Sequence, residues 1–266
     1  MDALGTSIFS LTIIFAATTL GSALVFFFRK NFSDKIGNII IGLASGIMIS
    51  ASIFGLLLPS MEEASKSSYL PSYLSFIPTL TGFILGGLIL YLMDKLIPHL
   101  HLSSNEEEGP RSSLSRNAKF FLAVTIHNIP EGISVGLACG LALANPNDAT
   151  FIGAALALAI GIAIQNFPEG AAVSIPLLEE GVSKPKAFLL GAASGVVEPI
   201  FGLLTVFISS YLGATLPYLL AFAAGAMIYV TIDELLPEAR KGNYVHYGLW
   251  SFMIGFAIMM VLEMAL

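Results

Sequence analysis

The sequence has few charged residues and almost no cysteine. Only 11% of its 266 residues are Asp, Glu, Lys or Arg, whereas a soluble globular domain carries roughly 25%. So few charges cannot cover a water-facing surface, which excludes an ordinary soluble enzyme, a nucleic-acid-binding protein and a disordered chain. The one cysteine, Cys139, excludes an intrachain disulfide and argues against a thiolate metal site. Because 56% of the residues are hydrophobic and lie in long runs, the composition predicts a polytopic membrane protein.

Eight apolar segments are long enough to cross a membrane, for which about 20 residues are required. They are rich in Gly, Ala and Ser, which let helices pack closely in lipid. The predicted fold is an all-α bundle of eight transmembrane helices in one domain, residues 1–266. The predicted spans are about 6–28, 36–58, 76–98, 119–144, 150–175, 187–210, 216–236 and 246–265, and a flexible cytoplasmic loop covers about 99–118.

The basic residues predict how the chain is oriented. Of the twelve Lys and Arg residues, all but Lys66 fall in or beside the connections that follow spans 1, 3, 5 and 7. Positive residues flank membrane spans mainly on the cytoplasmic side. The connections after the odd-numbered spans are therefore predicted to be cytoplasmic, and both termini extracytoplasmic.

Polar side chains recur at mid-depth in three spans. Span 4 contains His-Asn-Ile-Pro-Glu-Gly at 127–132, span 5 contains Gln-Asn-Phe-Pro-Glu-Gly at 165–170, and span 6 contains Glu-Pro at 198–199. A charge at bilayer depth costs at least about 2.5 kcal/mol, so those that remain usually serve a site or a pathway. A motif repeated on adjacent antiparallel helices predicts an inverted-repeat transporter with its site at the repeat interface.

The spacing of these residues predicts a cation site. His127 and Glu131 lie four residues apart on one helix face, as do Gln165 and Glu169. Counting residues places Glu131, Glu169 and Glu198 at similar depths, with Asn128 and Asn166 beside them and no Lys or Arg in the same stretches. Either the carboxyl groups are partly protonated or a cation is their partner. Imidazole with carboxylate and amide oxygens suits Zn²⁺, Fe²⁺, Mn²⁺ or Co²⁺.

Three further acids, Glu62, Glu63 and Glu263, lie near the extracytoplasmic ends of their spans. They are either an acidic entrance that concentrates cations or solvated helix ends.

A proton- or sodium-coupled carrier of another solute is an alternative function. An intramembrane metalloprotease is a weaker one, because no His-Glu-x-x-His motif occurs. The sequence has no phosphate-binding glycine loop, so ATP is not an expected partner, and the low charge content has already excluded nucleic acid.

The paired motifs on spans 4 and 5 resemble those of the ZIP (Zrt/Irt-like) family of divalent metal transporters, and specifically a bacterial GufA-like branch. The resemblance covers essentially the whole chain. It implies a binuclear metal centre whose first site uses His127, Glu131, Gln165 and Glu169. The second would use Asn128, Asn166 and Glu198, with Glu131 and Glu169 bridging the two metals. Many members have His where this chain has Gln165 and some have Asp where it has Asn166, which hints at a broad metal preference.

The resemblance also implies a mode of action. Zinc, and also iron, manganese, cobalt or cadmium, would be cargo carried into the cytoplasm; no catalytic cofactor and no enzyme activity are expected. A group of helices would carry the site in an elevator-like cycle, within a homodimer in the plasma (inner) membrane of a bacterium or archaeon. The residues that resemble the family's cytoplasmic exit ligands are Asp94, His99, His101, Asp233 and Glu234. Asp233 and Glu234 could alternatively be a pair of acids at the membrane surface, near Arg240 and Lys241.

Overall fold

The computed structural model describes residues 1–27, 33–66, 71–100, 107–179, 181–209 and 213–266. Within these ranges, eight helices are long and apolar enough to cross a membrane, which confirms the predicted number and the all-α class. In chain order, spans 1 to 8 are Ala3–Phe26, Asp34–Ser65, Ser72–Leu96, Phe121–Ala144, Ala149–Leu178, Lys184–Ser209, Gly213–Glu238 and Val245–Ala265.

Spans 2 and 7 each contain a π-helical segment just before a proline. In span 2 the α-helix Asp34–Ser50 becomes π-helical over Ala51–Leu57 and continues as Leu58–Ser65. In span 7 the segment Thr231–Leu235 precedes Pro237. A proline ring clashes with the carbonyl four residues earlier and removes one hydrogen bond, and a wider turn accommodates both effects. Span 2 therefore continues past Pro59, where the sequence predicted its end at about residue 58.

The connection between spans 3 and 4 contains a short β-ladder. His99–Leu100 pairs with Glu107–Glu108 as a two-residue antiparallel ladder. The α-helix that contains span 4 then begins at Arg116, where the Ser115 side chain accepts a hydrogen bond from the Ala118 amide. The predicted loop therefore ends about three residues earlier in the sequence than expected, at a helix start that Ser115 caps.

The spans pack as two groups of four. In the first group, which we call the site bundle, span 1 packs along span 5, span 4 along span 6, and spans 4 and 5 side by side. In the second, the supporting bundle, span 2 packs along span 8 and span 3 along span 7. Glycines permit these close approaches: a Cβ on Gly170 would lie 2.0 Å from the Thr18 carbonyl oxygen, and one on Gly46 would lie 2.0 Å from that of Phe252.

Spans 5 and 4 of the site bundle contact spans 2, 7 and 8 of the supporting bundle, and we call this boundary the seam. Small residues face methionine there. The Ser134 hydroxyl lies 3.1 Å from the Met227 sulfur, and Gly161 lies against the Met259 sulfur, which a Cβ would approach to 2.1 Å. Thioether side chains adapt easily to their neighbours, so the seam is held by adjustable packing.

Candidate metal site

All seven side chains predicted for the mid-membrane site belong to the site bundle. Span 4 contributes His127, Asn128 and Glu131, and the helix turn just before Pro199 places Glu198 beside them. Span 5 contributes the remaining three. Six of the seven are buried and Glu169 is half-buried; in chain order they are His127, Asn128, Glu131, Gln165, Asn166, Glu169 and Glu198.

Span 6 is broken at the point where it supplies its carboxylate. The α-helix Lys184–Ser194 ends in a turn, and a new helix starts at Val197. A Cβ on Gly132 of span 4 would lie 2.3 Å from the Glu198 carbonyl oxygen, so the two backbones are almost in contact. The break and the glycine together bring the Glu198 side chain into the interior of the bundle.

A chain of hydrogen bonds joins five of these residues. The Gln165 amide donates to Glu131 Oε1 and, at 3.2 Å, to Asn166 Oδ1. The Asn166 amide donates to Glu198 Oε2 at 2.8 Å, and the Asn128 amide donates to Glu198 Oε1 at 3.3 Å. Spans 4, 5 and 6 therefore share one polar network.

Thr18 of span 1 is a site residue that the sequence analysis missed. Its hydroxyl donates to Glu198 Oε1 at 2.9 Å. Thr18 lies in an apolar helix next to Thr19, and hydroxyl residues are common in membrane helices, where they bond their own backbone. Nothing in the local sequence distinguishes Thr18 from its neighbour.

Three buried oxygen atoms in the network have no hydrogen-bond donor within the described residues. They are Asn128 Oδ1, Glu131 Oε2 and Gln165 Oε1. A buried acceptor without a partner is costly, and native structures rarely keep several together without a bound group. Carboxylate and amide oxygens of this kind are ligands for a hard or borderline cation.

His127 contacts a residue outside this network. Its Nε2 atom lies 3.2 Å from Oε1 of Glu234, which is buried in the π-helical segment of span 7. Glu169 lies within electrostatic range of both residues. Across the described ranges, no three His, Cys, Asp or Glu side chains converge in metal-ligating geometry in this conformation. A metal held here would use amide oxygens as well, or a changed His127 position.

Two of the residues predicted for the cytoplasmic exit, Asp94 and Glu234, lie within electrostatic range of His127. Asp94 is buried in span 3, while Glu234 contacts the site through His127 and Asp233 is exposed on the same segment. His99 belongs to the short ladder, and His101 lies outside the described residues. Asp233 and Glu234 thus point in different directions, although they are neighbours in the sequence.

The three acids predicted for the entrance lie in two different places. Glu62 and Glu63 bind Lys66, with Nζ–Oε1 distances of 2.9 and 3.0 Å, and these hydrogen bonds raise the pKa of Lys66 above its usual value. All three groups are near the water-exposed end of span 2, so their pairing is worth little stability. Glu263 lies instead in the seam, with Oε1 buried against Gly55.

The chain is similar to known proteins along most of its length. Residues 104–263 match the family profile described as ZIP Zinc transporter. The chain is 36% identical to the zinc transporter ZIP11 of Xenopus tropicalis and 33% identical to the zinc transporter GufA of Myxococcus xanthus, and each alignment covers 94% of both proteins. It is 32% identical to the zinc transporter ZIPB of Bordetella bronchiseptica, over 95% of this chain and 78% of the relative.

These matches extend over most of the chain and include the spans that form the polar network. They confirm the resemblance that the motifs on spans 4 and 5 indicated, including the GufA-like relatives. In this family a metal ion is the transported substrate and not a catalytic cofactor. The chain is therefore a member of the ZIP zinc transporter family, a multi-pass integral membrane protein and not an enzyme.

Proposed function

We propose that this protein carries divalent transition-metal ions, zinc first among them, across the membrane into the cytoplasm. The observation that carries this proposal is the set of three buried oxygens of Asn128, Glu131 and Gln165 that lack donors among the described residues. A divalent cation is the partner that such oxygens fit. The zinc-transporter names of the relatives support zinc as the cargo.

The ligands would form two adjacent sites. Asn128, Asn166 and Glu198 already share hydrogen bonds, which supports their use as one site. His127, Glu131, Gln165 and Glu169 would form the other, with Glu131 and Glu169 bridging. For His127 to bind the metal, its Nε2 atom would have to exchange Glu234 for the ion or the ring would have to turn. Metal binding and the contact between the bundles would then compete for one imidazole.

The division into two bundles supports transport by relative motion. All proposed ligands lie on spans 4, 5 and 6 of the site bundle, so that bundle can carry a bound ion as a unit. The supporting bundle contributes Glu234 and the methionine-lined side of the seam. Sliding at the seam would expose the site first to one side of the membrane and then to the other.

The proposed direction of ion flux is from outside the cell into the cytoplasm. The bias of basic residues supports extracytoplasmic termini, so ions would arrive past Glu62, Glu63 and Glu263 and leave past Asp94, His99, His101, Asp233 and Glu234. We propose a homodimer in a plasma (inner) membrane, as for a bacterial or archaeal uptake protein. Gln165 and Asn166 in place of stronger ligands would allow iron, manganese, cobalt or cadmium as well as zinc.

Uptake by liposomes that contain the full chain tests this function. Zinc, iron, manganese, cobalt and cadmium would each be offered outside, and the metal trapped inside would be measured against protein-free liposomes. We expect zinc accumulation above that control, with one or more of the other metals competing. A chain that is folded by its circular dichroism and accumulates none of these metals would contradict the proposal.

A further inference from the structure

Glu263 differs from Glu62 and Glu63, because one of its carboxyl oxygens is buried between helices of the protein. Glu62 and Glu63 share Lys66 at the exposed end of span 2. Glu263 lies on span 8, two residues before the helix ends at Ala265, and its Oε1 atom is buried with no hydrogen-bond partner among the described residues. The structure therefore places one carboxyl oxygen of Glu263 inside the seam.

The space for this carboxyl exists because Gly55 has no side chain. A Cβ on Gly55 would lie 2.7 Å from Glu263 Oε1 and 3.2 Å from the Leu158 Cδ1 methyl. Gly55 lies in the π-helical segment of span 2, and Leu158 belongs to span 5. The carboxyl group thus fills a pocket between the supporting bundle and the site bundle, which we call the Gly55 pocket.

The three spans around the pocket provide no counter-charge within the described residues. On span 2 the nearest titratable side chains are Glu62 and Glu63, which are paired with Lys66. Asp148, just before span 5, accepts a hydrogen bond from the Thr150 amide. The Leu266 backbone oxygen, after the end of span 8, lies against Gly153 and not against Gly55. The remaining titratable groups of these spans, Asp34, Lys35, Glu169, His246 and Tyr247, lie deeper along them or at their opposite ends.

The Gly55 pocket lies between the proposed metal site and the membrane surface on the side of the two termini. Leu158 lies seven residues before Gln165 on span 5, about 10 Å along the helix on the side of the termini. A closed pocket excludes water and accommodates a neutral carboxyl far better than an unpaired anion. An ionised Glu263 would instead favour a seam that opens to water.

We propose that Glu263 is a proton-sensitive closure of the extracytoplasmic half of the seam. With its proton, the side chain occupies the Gly55 pocket and the two bundles stay together. Without it, the carboxylate leaves the pocket for water, the seam opens, and the anion faces the arriving cation. This inference rests on the proposed transport function, because it assumes that the bundles separate on this side.

A labelling experiment on the full chain in liposomes tests the proposal. Cys139, the only native cysteine, is replaced by serine, and Leu158→Cys places a thiol in the buried wall of the pocket. A membrane-impermeant maleimide is added outside at several pH values. At each pH, the labelling rate of the Leu158→Cys protein that keeps Glu263 is divided by the rate of the same protein carrying Glu263→Gln. This ratio cancels the pH dependence of the thiol itself.

We expect this ratio to rise by about tenfold between mildly acidic and mildly alkaline external pH, because only the native acid can ionise. Glu62→Gln, which neutralises a paired surface acid, should leave the ratio as it is. Gly55→Ala, which fills the pocket, should give fast labelling at every pH. A ratio that stays constant with pH would overturn the proposal, as would unchanged labelling in Gly55→Ala.

Zinc uptake measured in the same vesicles separates the two proposals. If zinc is not taken up but the ratio rises with pH, the transport function fails and the closure at Glu263 stands. If zinc is taken up and the ratio is constant, transport stands and the closure at Glu263 is wrong.

Discussion

Glu198 shows how a single buried residue can organise the site. Its two carboxylate oxygens accept hydrogen bonds from Thr18, Asn128 and Asn166, on spans 1, 4 and 5. A hydrogen bond within a protein contributes roughly 0.5–1.5 kcal/mol, and losing one partner of a buried pair costs about 1–3 kcal/mol. Glu198 therefore fixes the relative positions of the helices that supply the other ligands.

Removing one donor to Glu198 should weaken both the fold and the site. Thr18→Val keeps the shape of the side chain but loses the hydroxyl that lies 2.9 Å from Glu198 Oε1. We expect a loss of about 1–3 kcal/mol of stability, measured as a lower temperature of thermal unfolding in detergent, together with weaker zinc binding. Thr12→Val is the matched control, because the Thr12 hydroxyl bonds only the Ile8 carbonyl of its own helix. Equal effects of the two substitutions would refute this role for Thr18.

Gln165 controls the metal preference in this account. An amide oxygen is a poorer zinc ligand than imidazole, so Gln165→His should strengthen zinc transport relative to manganese. We expect the KM for zinc to fall by about tenfold, equivalent to about 1.4 kcal/mol. Competition uptake in liposomes would measure this, with Asn145→His, beyond the end of span 4, as a control. An unchanged ratio of zinc to manganese uptake would show that Gln165 is not a ligand.

At the scale of helices, close packing through glycine is what sets the bundle geometry. Gly46 of span 2 lies almost on the Phe252 carbonyl of span 8, and the same helix contains Gly37, around which no atom lies within 4 Å of an added Cβ. The two glycines therefore make a matched pair on one helix. One is required for contact, and the other only lowers the helix propensity.

Substitution of these two glycines should give opposite results. Gly46→Ala would place a methyl group 2.0 Å from backbone oxygen and push spans 2 and 8 apart, at a cost of about 1–3 kcal/mol. Gly37→Ala should be neutral or stabilising by up to about 1 kcal/mol. Thermal unfolding of the two purified variants measures the difference. A Gly46→Ala protein as stable as Gly37→Ala would contradict the packing described for spans 2 and 8.

The sequence predicted the number of membrane-spanning helices far better than the contacts between them. Eight apolar runs are visible because each must cross the same thickness of lipid, and acids such as Glu131 stand out in them because their burial is costly. The partner of His127 was not predictable. Glu234 lies on span 7, and only the packing of span 4 against span 7 brings the two together. The π-helical segments also escaped prediction, because a proline can equally end a helix.

At the scale of the molecule, the two-bundle division predicts which contacts must break during transport. The Ser134–Met227 contact crosses the seam, whereas the Ser60–Thr79 contact, at 2.8 Å, lies within the supporting bundle. Movement of one bundle against the other would break the first and keep the second.

Cross-linking distinguishes these two contacts. In a Cys139→Ser background, Ser134→Cys with Met227→Cys would be linked by a short bifunctional thiol reagent, and Ser60→Cys with Thr79→Cys would serve as the control pair. We expect the first cross-link to stop zinc uptake and the second to leave it nearly unchanged. Full uptake with the seam cross-linked would show that the bundles do not move against each other.

We propose that buried oxygens on spans 4, 5 and 6 bind the transported metal, and Glu131 tests this binding most directly. The measurement is initial zinc uptake by liposomes containing Glu131→Gln, which keeps the side-chain size but removes the carboxyl group, beside Asp148→Asn, which changes an exposed acid to an amide that can still accept the hydrogen bond from the Thr150 amide. We expect a loss of about a hundredfold or more in Glu131→Gln, roughly 2.8 kcal/mol, and little change in Asp148→Asn. Equal uptake by the two variants would contradict metal binding at Glu131.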